Sequence, residues 1–388
     1  MRQSDGFELG PTVGMIGAGQ LAQMSVAPAT ALGIRFKVLA NNLEEPAALV
    51  ASQVTLGSKD DPQAVLAFAQ SCDVVTFDHE LLTPDVMEAL KNCGKPVYPS
   101  PQAVIYAQDK LEMRRALTDL GIPCPRWSQV DSESDAKNFA RDVGYPFILQ
   151  TSRGGYDGKG VWFVNDESDI GTIFENELSA GSHWLAEEKV NFVRELAVQV
   201  ARSPSDQCVA YPVVQTTQSA GICDEVIAPA PGLDPKVAVD AAEIALRIAR
   251  ELDVVGMLAV ELFDTGEGVL VNELAMRAHN SGHWTIEGAA TSQFENHLRA
   301  VLDLPLGSPR AIATWTVMGN ILGGSVPNLY SAYRHVFARD QDLHTHLYGK
   351  VVKPGRKVGH VTASGSDLTD LRNRVDHAVS YFTGEINE

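Results

Sequence analysis

Two glutamates in the second half of the chain are the side chains best placed to do chemistry. Glu261 lies in LAVELF and Glu273 in VLVNELAMRAHNSGHW, and the turn DTGEG at 264–268 joins the two apolar stretches. If the two apolar stretches form a hairpin, the carboxylates of Glu261 and Glu273 come to one face of the sheet. Mg2+ prefers hard oxygen ligands and shares them with substrate phosphates. The pattern therefore predicts a magnesium site at Glu261 and Glu273, with Asn272 reaching in from the strand end.

Polar side chains crowd the segment that follows Glu273. Arg277, His279 and Asn280 stand close together directly after an apolar strand-like stretch. Such a group of hydrogen-bonding side chains is typical of an active-site rim carried on a loop. The alternative that the sequence leaves open is a solvated turn with surface acids.

A glycine-rich loop, QTSRGGYDGKG, occupies residues 150–160 between two strand-like stretches. It has four glycines in seven residues, and their amides can wrap an oxyanion while Arg153 and Lys159 add positive charge. No G-K-S/T sequence opens a helix there, so this is not a Walker A loop. The loop predicts a flap over nucleotide phosphates, and a plain hairpin turn is the alternative.

An earlier glycine motif indicates an anion site of a different kind. Within VGMIGAGQLAQM at 13–24, the letters GAGQLA fit the G-x-G-x-x-A spacing of dinucleotide-binding turns. In such folds an acidic residue ends the second strand, whereas here that strand ends in LANN at 39–42, so NAD is disfavoured. Free amides at a helix start still favour an anion. The turn therefore predicts a single phosphate site or a structural turn without a ligand.

Bulk properties limit the partners. The 388 residues carry a formal net charge of −18, which argues against a nucleic-acid-binding surface because phosphate neutralisation needs a basic face. Five scattered cysteines without a C-x-x-C pair favour reduced thiols over disulfides or a zinc site. No stretch reaches the roughly 18 apolar residues of a membrane span, and the N-terminal sequence has no signal-peptide pattern. We expect a cytoplasmic protein without nucleic-acid or membrane partners.

Apolar periodicity predicts the elements that would position these groups. Strands near 12–17, 34–40 and 72–77 alternate with helices near 19–32, 61–70 and 84–92, and this alternation indicates a doubly wound parallel sheet. A short strand is predicted at 95–99. The later helices are predicted at 109–119, 235–252, 291–302 and 366–381, and the later strands at 145–150, 161–165, 184–190, 194–201, 208–214, 255–263 and 268–274.

Taken together, these motifs resemble the ATP-grasp superfamily and, within it, the 5-(carboxyamino)imidazole ribonucleotide synthase family of purine biosynthesis. The likeness covers nearly the whole chain and rests on GMIGAGQLAQM, TFDHELL, QDKLEMRRAL, RGGYDGKG, EEKVNFVREL, NELAMRAHNSGHWTIEGAATSQFENHLRA and YGKVVKPGRKVGH. The resemblance implies an α/β fold that is α+β in its ATP-binding clamp. Its three domains would be a doubly wound ribotide-binding domain at 1–107, an ATP-grasp domain at 108–308 with a mobile lid at about 145–215, and a small C-terminal domain at 309–388.

The resemblance also implies the reaction and its partners. ATP, bicarbonate and aminoimidazole ribonucleotide would give the N-carboxylated ribotide, ADP and phosphate by way of carboxyphosphate, with Mg2+ or alternatively Mn2+. Family members are usually homodimers. Two alternatives stay open: another ATP-grasp carboxylase or formyl ligase that acts on a different ribotide, and a nucleotide-binding homologue without turnover.

Matched position by position, the family motifs imply four sets of site residues. ATP would be bound by Lys110, Gln150, Gly154, Gly155, Tyr156, Asp157, Gly158, Lys159, Gly160, Glu187, Glu188, Lys189, Val190, Glu195, Gln218, Asn272 and Glu273. The ribotide would be bound by Gly17, Gly19, Gln20, Leu21, Glu80, Tyr156, Lys350, Lys353, Arg356 and Lys357. The metal ligands would be Glu261 and Glu273. The catalytic residues would be Arg277, His279, Asn280 and, as the general base, Asp157.

Five positions depart from the family pattern. Gln150 stands where the family usually has Lys, so one positive charge beside the ATP phosphates is missing. Thr216 and Gln218 stand in place of Asn and His, and Met276 and Ala278 replace prolines on either side of the predicted catalytic arginine.

Overall fold

The first unit of the chain is a doubly wound α/β sheet. The computed structural model describes residues 10–154, 160–177, 183–219 and 221–387. Strands β1 and β4 are buried along their whole length, which is expected of parallel strands covered on both faces. The strand order is β3-β2-β1-β4, and all three pairings are parallel. The elements are β1 (Thr12–Ile16), α1 (Gln20–Ala31), β2 (Arg35–Ala40), β3 (Gln53–Leu56), α2 (Pro62–Gln70), β4 (Val74–Phe77), α3 (Pro84–Lys91) and α4 (Pro101–Gln108).

A second, antiparallel sheet follows, and together with its two covering helices we call it the lobe. It begins after α5 (Lys110–Asp119) and consists of β5 (Trp127–Val130), α6 (Glu133–Val143), β6 (Phe147–Thr151), β7 (Val161–Val164), α7 (Glu167–Glu177) and β8 (Trp184–Glu188). The strand order is β5-β8-β6-β7. Phe147, Leu149, Trp184 and Ala186 pack into the core of the lobe with residues of α6 and α7. Because side chains alternate along a strand, the residues between them lie on the other face of the sheet.

A third, larger sheet joins the middle of the chain to its C-terminal part. Its order is β14-β13-β9-β11-β12-β15-β17-β16, with β10 paired to β9. The C-terminal strands thus extend this central sheet through the pairing of β12 with β15. Its elements are β9 (Arg194–Arg202), β10 (Cys208–Ala210), β11 (Val214–Ser219), β12 (Ile222–Ala228), α8 (Pro235–Glu251), β13 (Gly256–Asp264), β14 (Val269–Ala275), α9 (Thr285–Gly288), α10 (Gln293–Val301), β15 (Trp315–Leu322), α11 (Tyr333–Arg339), β16 (His344–Leu347), β17 (Lys357–Gly365) and α12 (Leu368–Thr383).

Two of the predicted strands are wrong in part, and proline explains both. The predicted strand at 208–214 is two strands, because Pro212 has no amide hydrogen to continue the ladder. The predicted strand at 95–99 is only a bridge between Val97 and Val75, flanked by Pro96 and Pro99. Strands β3, β5 and β12 and helices α4, α6, α7, α9 and α11 were not predicted, and no bounds were predicted for the C-terminal strands β15, β16 and β17. The other predicted helices and strands are confirmed to within three residues at each end.

In the described part of the chain, no helix combines the length and the apolar character that a membrane crossing requires.

A buried histidine on α10 joins the first unit to the central sheet. The Nδ1 atom of His297 accepts a hydrogen bond from the Met257 amide at 3.1 Å, so Nε2 carries the hydrogen and donates to Thr76 Oγ1 at 2.8 Å. Both ring nitrogens are therefore used by the neutral form. Burial lowers the pKa of His297 from 6.5 to about 4.

We predict that this histidine makes the stability of the fold depend on pH below neutrality. The unfolded chain binds a proton at position 297 below pH 6.5, whereas the folded chain does so only near pH 4. The free energy of unfolding should therefore fall as the pH drops through this window, by about 1.4 kcal/mol per pH unit from this group. In His297→Gln, the amide can accept from Met257 and donate to Thr76 but does not titrate. Urea unfolding at pH 6.5, 5.5 and 4.5 should give a shallower pH dependence for this variant than for the wild type.

The matched control is His344→Gln, since His344 is exposed. It should keep the pH dependence of the wild type. If the His297→Gln and wild-type curves run parallel, His297 does not contribute to the acid sensitivity.

Candidate active site

The two predicted metal ligands lie directly opposite each other on neighbouring strands. Glu261 of β13 pairs with Glu273 of β14 in the antiparallel register. The register shifts immediately afterwards, so that Leu262 pairs with Val271 and Asn272 is the extra residue of a β-bulge. A bulge re-aims the side chain of the inserted residue. The predicted pairing of the two acids is therefore present, and the bulge lies at the predicted third oxygen donor.

The two carboxylates have different electrostatic surroundings. Lys110 Nζ lies 3.1 Å from Glu273 Oε1 and lowers the pKa of Glu273 despite desolvation, which acts in the opposite direction. Burial, followed by the charges of Glu273 and Glu195, raises the pKa of Glu261. A divalent cation between the two carboxylates would neutralise this repulsion. The donor set therefore fits Mg2+, which completes its shell with phosphate oxygens and water.

Arg277 is held in place by Glu80 from the first unit. Glu80 Oε2 accepts from Arg277 Nε at 2.8 Å, and Glu80 Oε1 accepts from the Met276 amide at 2.7 Å. Arg277 also donates through Nη1 to the carbonyl of Ala278. Both oxygens of Glu80 are thus used to orient the arginine and its backbone. Glu80 was predicted to contact the ribotide, and the contacts described here make it a positioning residue for Arg277 as well.

The tautomer of His279 follows from its hydrogen bonds. Its Nδ1 lies 2.8 Å from Ser281 Oγ, and that hydroxyl accepts from Gln199 Nε2 at 2.8 Å. The backbone amide of Ser281 also donates to Nδ1, at 3.4 Å, so Nδ1 is an acceptor; the Ser281 hydroxyl donates to it, and the ring hydrogen lies on Nε2. Nε2 lies 3.8 Å from Glu261 Oε1. Burial lowers the pKa of His279 well below its usual value, so the ring is a neutral donor beside the acid pair.

The side chain of Asn280 is committed to a reciprocal amide pair. It donates to Asn320 Oδ1 at 2.8 Å and accepts from Asn320 Nδ2 at 2.7 Å. Asn320 lies on β15 and is fully buried. This pair ties the rim loop to the C-terminal part of the central sheet. The predicted catalytic role of Asn280 stays a prediction.

A buried ion pair connects the lobe to the strand that carries Glu273. Arg114 of α5 donates through Nε to Glu187 Oε1 on β8 and through Nη2 to the carbonyl of Asn272 at 2.7 Å. A weaker contact of 3.3 Å joins its Nη1 to the carbonyl of Val271. Gln150 Nε2 donates to the other oxygen of Glu187. Arg114, Glu187 and Gln150 are all buried.

Three more of the predicted ATP-binding residues, Glu188, Lys189 and Val190, lie at the end of β8 and directly after it. Both oxygens of Glu188 are bound to Arg126, one by its backbone amide at 2.9 Å and one by Nε at 2.7 Å. Lys189 and Val190 lie in the segment without regular structure between β8 and β9. The Glu188 carboxylate is therefore committed to Arg126, and its predicted contact with ATP stays a prediction.

Glu195 and Gln218 lie on adjacent strands of the central sheet. Glu195 of β9 pairs with Thr216 of β11, and Gln218 follows two residues later at a register shift. Desolvation raises the pKa of Glu195. The three residues lie on the same sheet as the two metal-ligand candidates, with Glu195 opposite Phe263 of β13.

The base of the predicted flap is attached to α5. Arg153 Nε donates to Asp109 Oδ2 at 2.7 Å, and the Lys110 amide donates to the Ser152 carbonyl at 2.8 Å. Gly154 and Gly160 both have positive φ angles, which other residues rarely adopt. The predicted flap residues Gly155, Tyr156, Asp157, Gly158 and Lys159 lie outside the described residues. The described ends of the flap thus lie next to Lys110.

The first glycine turn is closed by a carboxylate of the chain itself. Asp78 Oδ2 accepts from the Gly19 amide at 2.5 Å. A Cβ atom at Gly17 would lie 1.8 Å from Asp78 Oδ1, and one at Gly19 would lie 2.7 Å from Oδ2. Burial raises the pKa of Asp78 to about 6, although the Gly19 amide and Arg277 act to lower it. The glycines are therefore needed for this close approach, and Gln20 and Leu21 begin α1 beside it.

The four predicted basic residues divide between two places. The positive charge of Lys350 partly offsets the burial that raises the pKa of Asp78 at the glycine turn. The positive charge of Lys357 likewise partly offsets the burial that raises the pKa of Glu261. Lys353 and Arg356 are exposed on the connecting turn, where Arg356 Nη1 donates to the carbonyl of Val351 at 3.2 Å. This C-terminal segment therefore brings positive charge to both the turn and the acid pair.

The sequence analysis gave no role to five residues that organise the site: Asp78, Arg114, Gln199, Ser281 and Asn320. Asp78 and Arg114 stand inside quoted motifs, TFDHELL and QDKLEMRRAL, so their positions were a usable signal. Gln199 and Asn320 lie in the middle of buried strands, and a polar residue at such a position usually has a buried partner.

Family models match three consecutive parts of the chain. A ribonucleotide synthetase preATP-grasp domain matches residues 11–108, an ATP-grasp domain matches residues 115–294, and a phosphoribosylaminoimidazole carboxylase C-terminal domain matches residues 316–374. The fold and the site thus define an ATP-grasp enzyme with a ribonucleotide synthetase N-terminal domain.

Relatives and solved structures narrow this class. The N5-carboxyaminoimidazole ribonucleotide synthase of Mycobacterium tuberculosis is 48% identical over 97% of this chain and 88% of its own length. The crystal structure of the synthetase from Thermus thermophilus is 35% identical, with a TM-score of 0.86 over 97% of this chain and 99% of that one. The Aspergillus clavatus synthase in complex with ADP and 5-aminoimidazole ribonucleotide is 31% identical, with a TM-score of 0.88 over 97% and 100%. The chain belongs to the N5-carboxyaminoimidazole ribonucleotide synthase family, and it is an ATP-dependent ligase of purine biosynthesis.

We predict that Ser281 supports catalysis by fixing the tautomer of His279. In Ser281→Ala, Nδ1 loses its hydroxyl donor, so the ring hydrogen can move to Nδ1 and away from Glu261. The value of kcat should fall about tenfold, the equivalent of one hydrogen bond of about 1.4 kcal/mol, with little change in the melting temperature. Steady-state assays and thermal melts measure the two quantities.

Ser331→Ala serves as the control, because Ser331 is an exposed serine that bonds only to the Asn328 carbonyl among the described residues. It should keep the kcat of the wild type. A Ser281→Ala enzyme with unchanged kcat would mean that the tautomer of His279 does not matter.

Proposed function

We propose that this chain carboxylates the exocyclic amine of 5-aminoimidazole ribonucleotide at the cleft between the lobe and the central sheet. ATP and bicarbonate would be consumed, and ADP and phosphate would be released. The observation that carries this proposal is the facing pair Glu261 and Glu273, with Lys110 on one acid and Arg277 held beside them by Glu80. These are the groups that a phosphoryl transfer followed by an acyl transfer needs in one place.

ATP would lie with its base at the segment after β8 and its phosphates at Lys110. The Lys110 amide is already bonded to the base of the flap, so the lysine and the flap would meet the same phosphates. Glu195 would bind the ribose hydroxyls. Glu261 and Glu273 would hold Mg2+, which when bound neutralises charge on the transferred phosphoryl group.

The chain's own residues would then guide two successive steps. A bicarbonate oxygen attacks the γ-phosphorus and ADP leaves, which gives carboxyphosphate. Arg277 would stabilise this anion through the guanidinium nitrogens that Glu80 does not use, and the Nε2 hydrogen of His279 would orient it. The exocyclic amine of the ribotide then attacks the carboxyl carbon, phosphate leaves, and the amine loses a proton. We propose Asp157 as the base that takes this proton.

The ribotide phosphate would bind between the first glycine turn and the C-terminal basic segment. The charge of Lys350 acts to lower the pKa of Asp78 at the turn, and Lys353 and Arg356 are exposed on the segment that follows Lys350. The Gly19 amide already donates to Asp78, so the cations rather than this amide would supply most of the attraction. The charge of Arg277, which Glu80 holds in place, also acts to lower the pKa of Asp78 at this turn.

The remaining proposals concern the whole protein. We propose three domains with boundaries near 107 and 308, a homodimeric assembly and a cytoplasmic location. All five cysteines are free, and this supports a reducing compartment.

The first test is ADP release with ATP, Mg2+ and bicarbonate, in the presence and absence of aminoimidazole ribonucleotide. We expect ADP formation to depend on the ribotide and to match the amount of carboxylated product. If a different ribotide amine stimulates ADP release and aminoimidazole ribonucleotide does not, another ATP-grasp ligase activity is indicated. Nucleotide binding without turnover on any acceptor would indicate a binding protein.

The metal assignment is tested with Glu273→Gln. The amide keeps the size of the side chain but removes the charge that Lys110 and the metal share. Turnover should fall more than about a hundredfold, while the melting temperature changes little. Glu267→Gln, in the exposed turn of the same hairpin, is the matched control and should keep full activity. Substantial activity in Glu273→Gln would overturn the metal assignment.

A further inference from the structure

Gln150 has a fixed amide orientation. The guanidinium of Arg114 carries only hydrogen-bond donors, and it forms an ion pair with Glu187 through Nε and Oε1, so the Glu187 carboxylate is the acceptor of this pair. An ionised carboxylate can only accept hydrogen bonds, so the group of Gln150 that meets Glu187 Oε2 must be the NH2 group. The carbonyl oxygen of Gln150 therefore lies on the side away from Glu187. It makes no hydrogen bond to another residue that the structure describes.

Gln150 lies on the face of the lobe sheet that meets α5, the face proposed to line the nucleotide site. Phe147 and Leu149 point into the core of the lobe, so Gln150 lies on the opposite face of β6, the face on which Glu187 meets Arg114 of α5. Two residues further along the chain, just past the end of β6, the Ser152 carbonyl accepts from the backbone amide of Lys110. Gln150 thus lies between the segment proposed to meet the base and the lysine proposed to meet the phosphates.

A hydrogen-bond acceptor at this position can bind only those groups of ATP that donate hydrogen bonds. A carbonyl oxygen repels phosphate oxygens, so it does not face the phosphates in a stable complex. The hydrogen-bond donors of ATP are the ribose hydroxyls and the exocyclic amine of adenine. Glu195 on β9 is the acceptor proposed for the ribose, whereas Gln150 bonds to Glu187 at the end of the strand that leads to the base-reading segment.

We infer that Gln150 is a specificity-determining residue that accepts a hydrogen bond from the 6-amino group of the purine and disfavours a purine with a 6-oxo group. This inference rests on the proposed function for the location of the nucleotide. It assigns Gln150 to the base, whereas the family pattern had placed this position at the ATP phosphates. Arg114 and Glu187 are the positioning residues, since together they determine which end of the amide faces the cleft.

The test compares ATP with inosine triphosphate, whose base carries an oxygen in place of the 6-amino group. In Gln150→Met the acceptor is lost, so ATP should bind more weakly and inosine triphosphate should no longer be repelled. The preference for ATP, expressed as the ratio of the two kcat/KM values, should fall about tenfold. The preference in binding alone is measured separately, as the ratio of the dissociation constants of ADP and inosine diphosphate from calorimetric titration.

The variant Gln150→Lys tests whether position 150 contacts the base or the phosphates. It also keeps a donor for Glu187, so the buried contact that supports the fold is retained. The ammonium group can still donate to Glu187, so the buried carboxylate keeps its partner. A donor at this position should favour the 6-oxo base, and the preference for ATP should fall at least as far as in Gln150→Met. If Gln150→Lys instead strengthens both nucleotides equally, the position faces the phosphates and the inference is wrong.

The matched control is Gln129→Met on β5 of the same sheet. Gln129 bonds to Asp131 at 2.8 Å and to Arg115, outside the proposed nucleotide contacts. It should leave the preference for ATP unchanged. An unchanged preference in both Gln150 variants would overturn the inference. If the wild type binds ADP but does not turn over the ribotide, the proposed function fails, and the titrations still decide the role of Gln150.

Discussion

The buried ion pair between Arg114 and Glu187 is the interaction on which the geometry of the site depends. One guanidinium group joins α5, the last residues of the lobe sheet and the backbone of the bulge that precedes Glu273. Removing one partner of such a pair leaves an uncompensated buried charge and costs about 3–5 kcal/mol. The planar guanidinium of Arg114 holds its three acceptors in a fixed fork, a geometry that the compact ammonium group of a lysine does not reproduce. The pair therefore fixes the position of the end of β8 relative to β14, which carries Glu273.

In the rest of the site, three basic side chains each act on a different acidic side chain. Lys110 forms an ion pair with Glu273, and Arg277 forms one with Glu80. The positive charge of Lys357 partly offsets the rise in the pKa of Glu261. The protein has a net charge of −18, so this local positive charge is what allows an anionic nucleotide and an anionic ribotide to approach. Each cation comes from a different part of the chain. Lys110 begins α5, Arg277 follows β14 and Lys357 begins β17, so these parts of the chain must be assembled before the site exists.

Different parts of the fold could be predicted to different degrees, and the reasons are local. The parallel strands of the first unit were predicted because both faces are apolar, and β13 and β14 because a glycine-containing turn joins two apolar runs. Strand β12, ICDEVIA, was missed because its acidic residues interrupt the apolar pattern. Arg114 and Arg115 show the limit clearly. They are neighbours of one residue type on one helix, yet one is buried against Glu187 and the other is exposed.

The sequence by itself determined the chemistry that this protein has available. The alternation of apolar residues put Glu261 and Glu273 on one face, and the glycines and motifs indicated the ATP-grasp family, because these signals lie within short stretches of chain. Only the tertiary structure decided how the groups are used. Asp78 fills the first glycine turn, Asn280 pairs with Asn320, and Glu187 turns the amide of Gln150. Each of these contacts joins residues at least 37 positions apart, and short-range periodicity holds no information about such pairs.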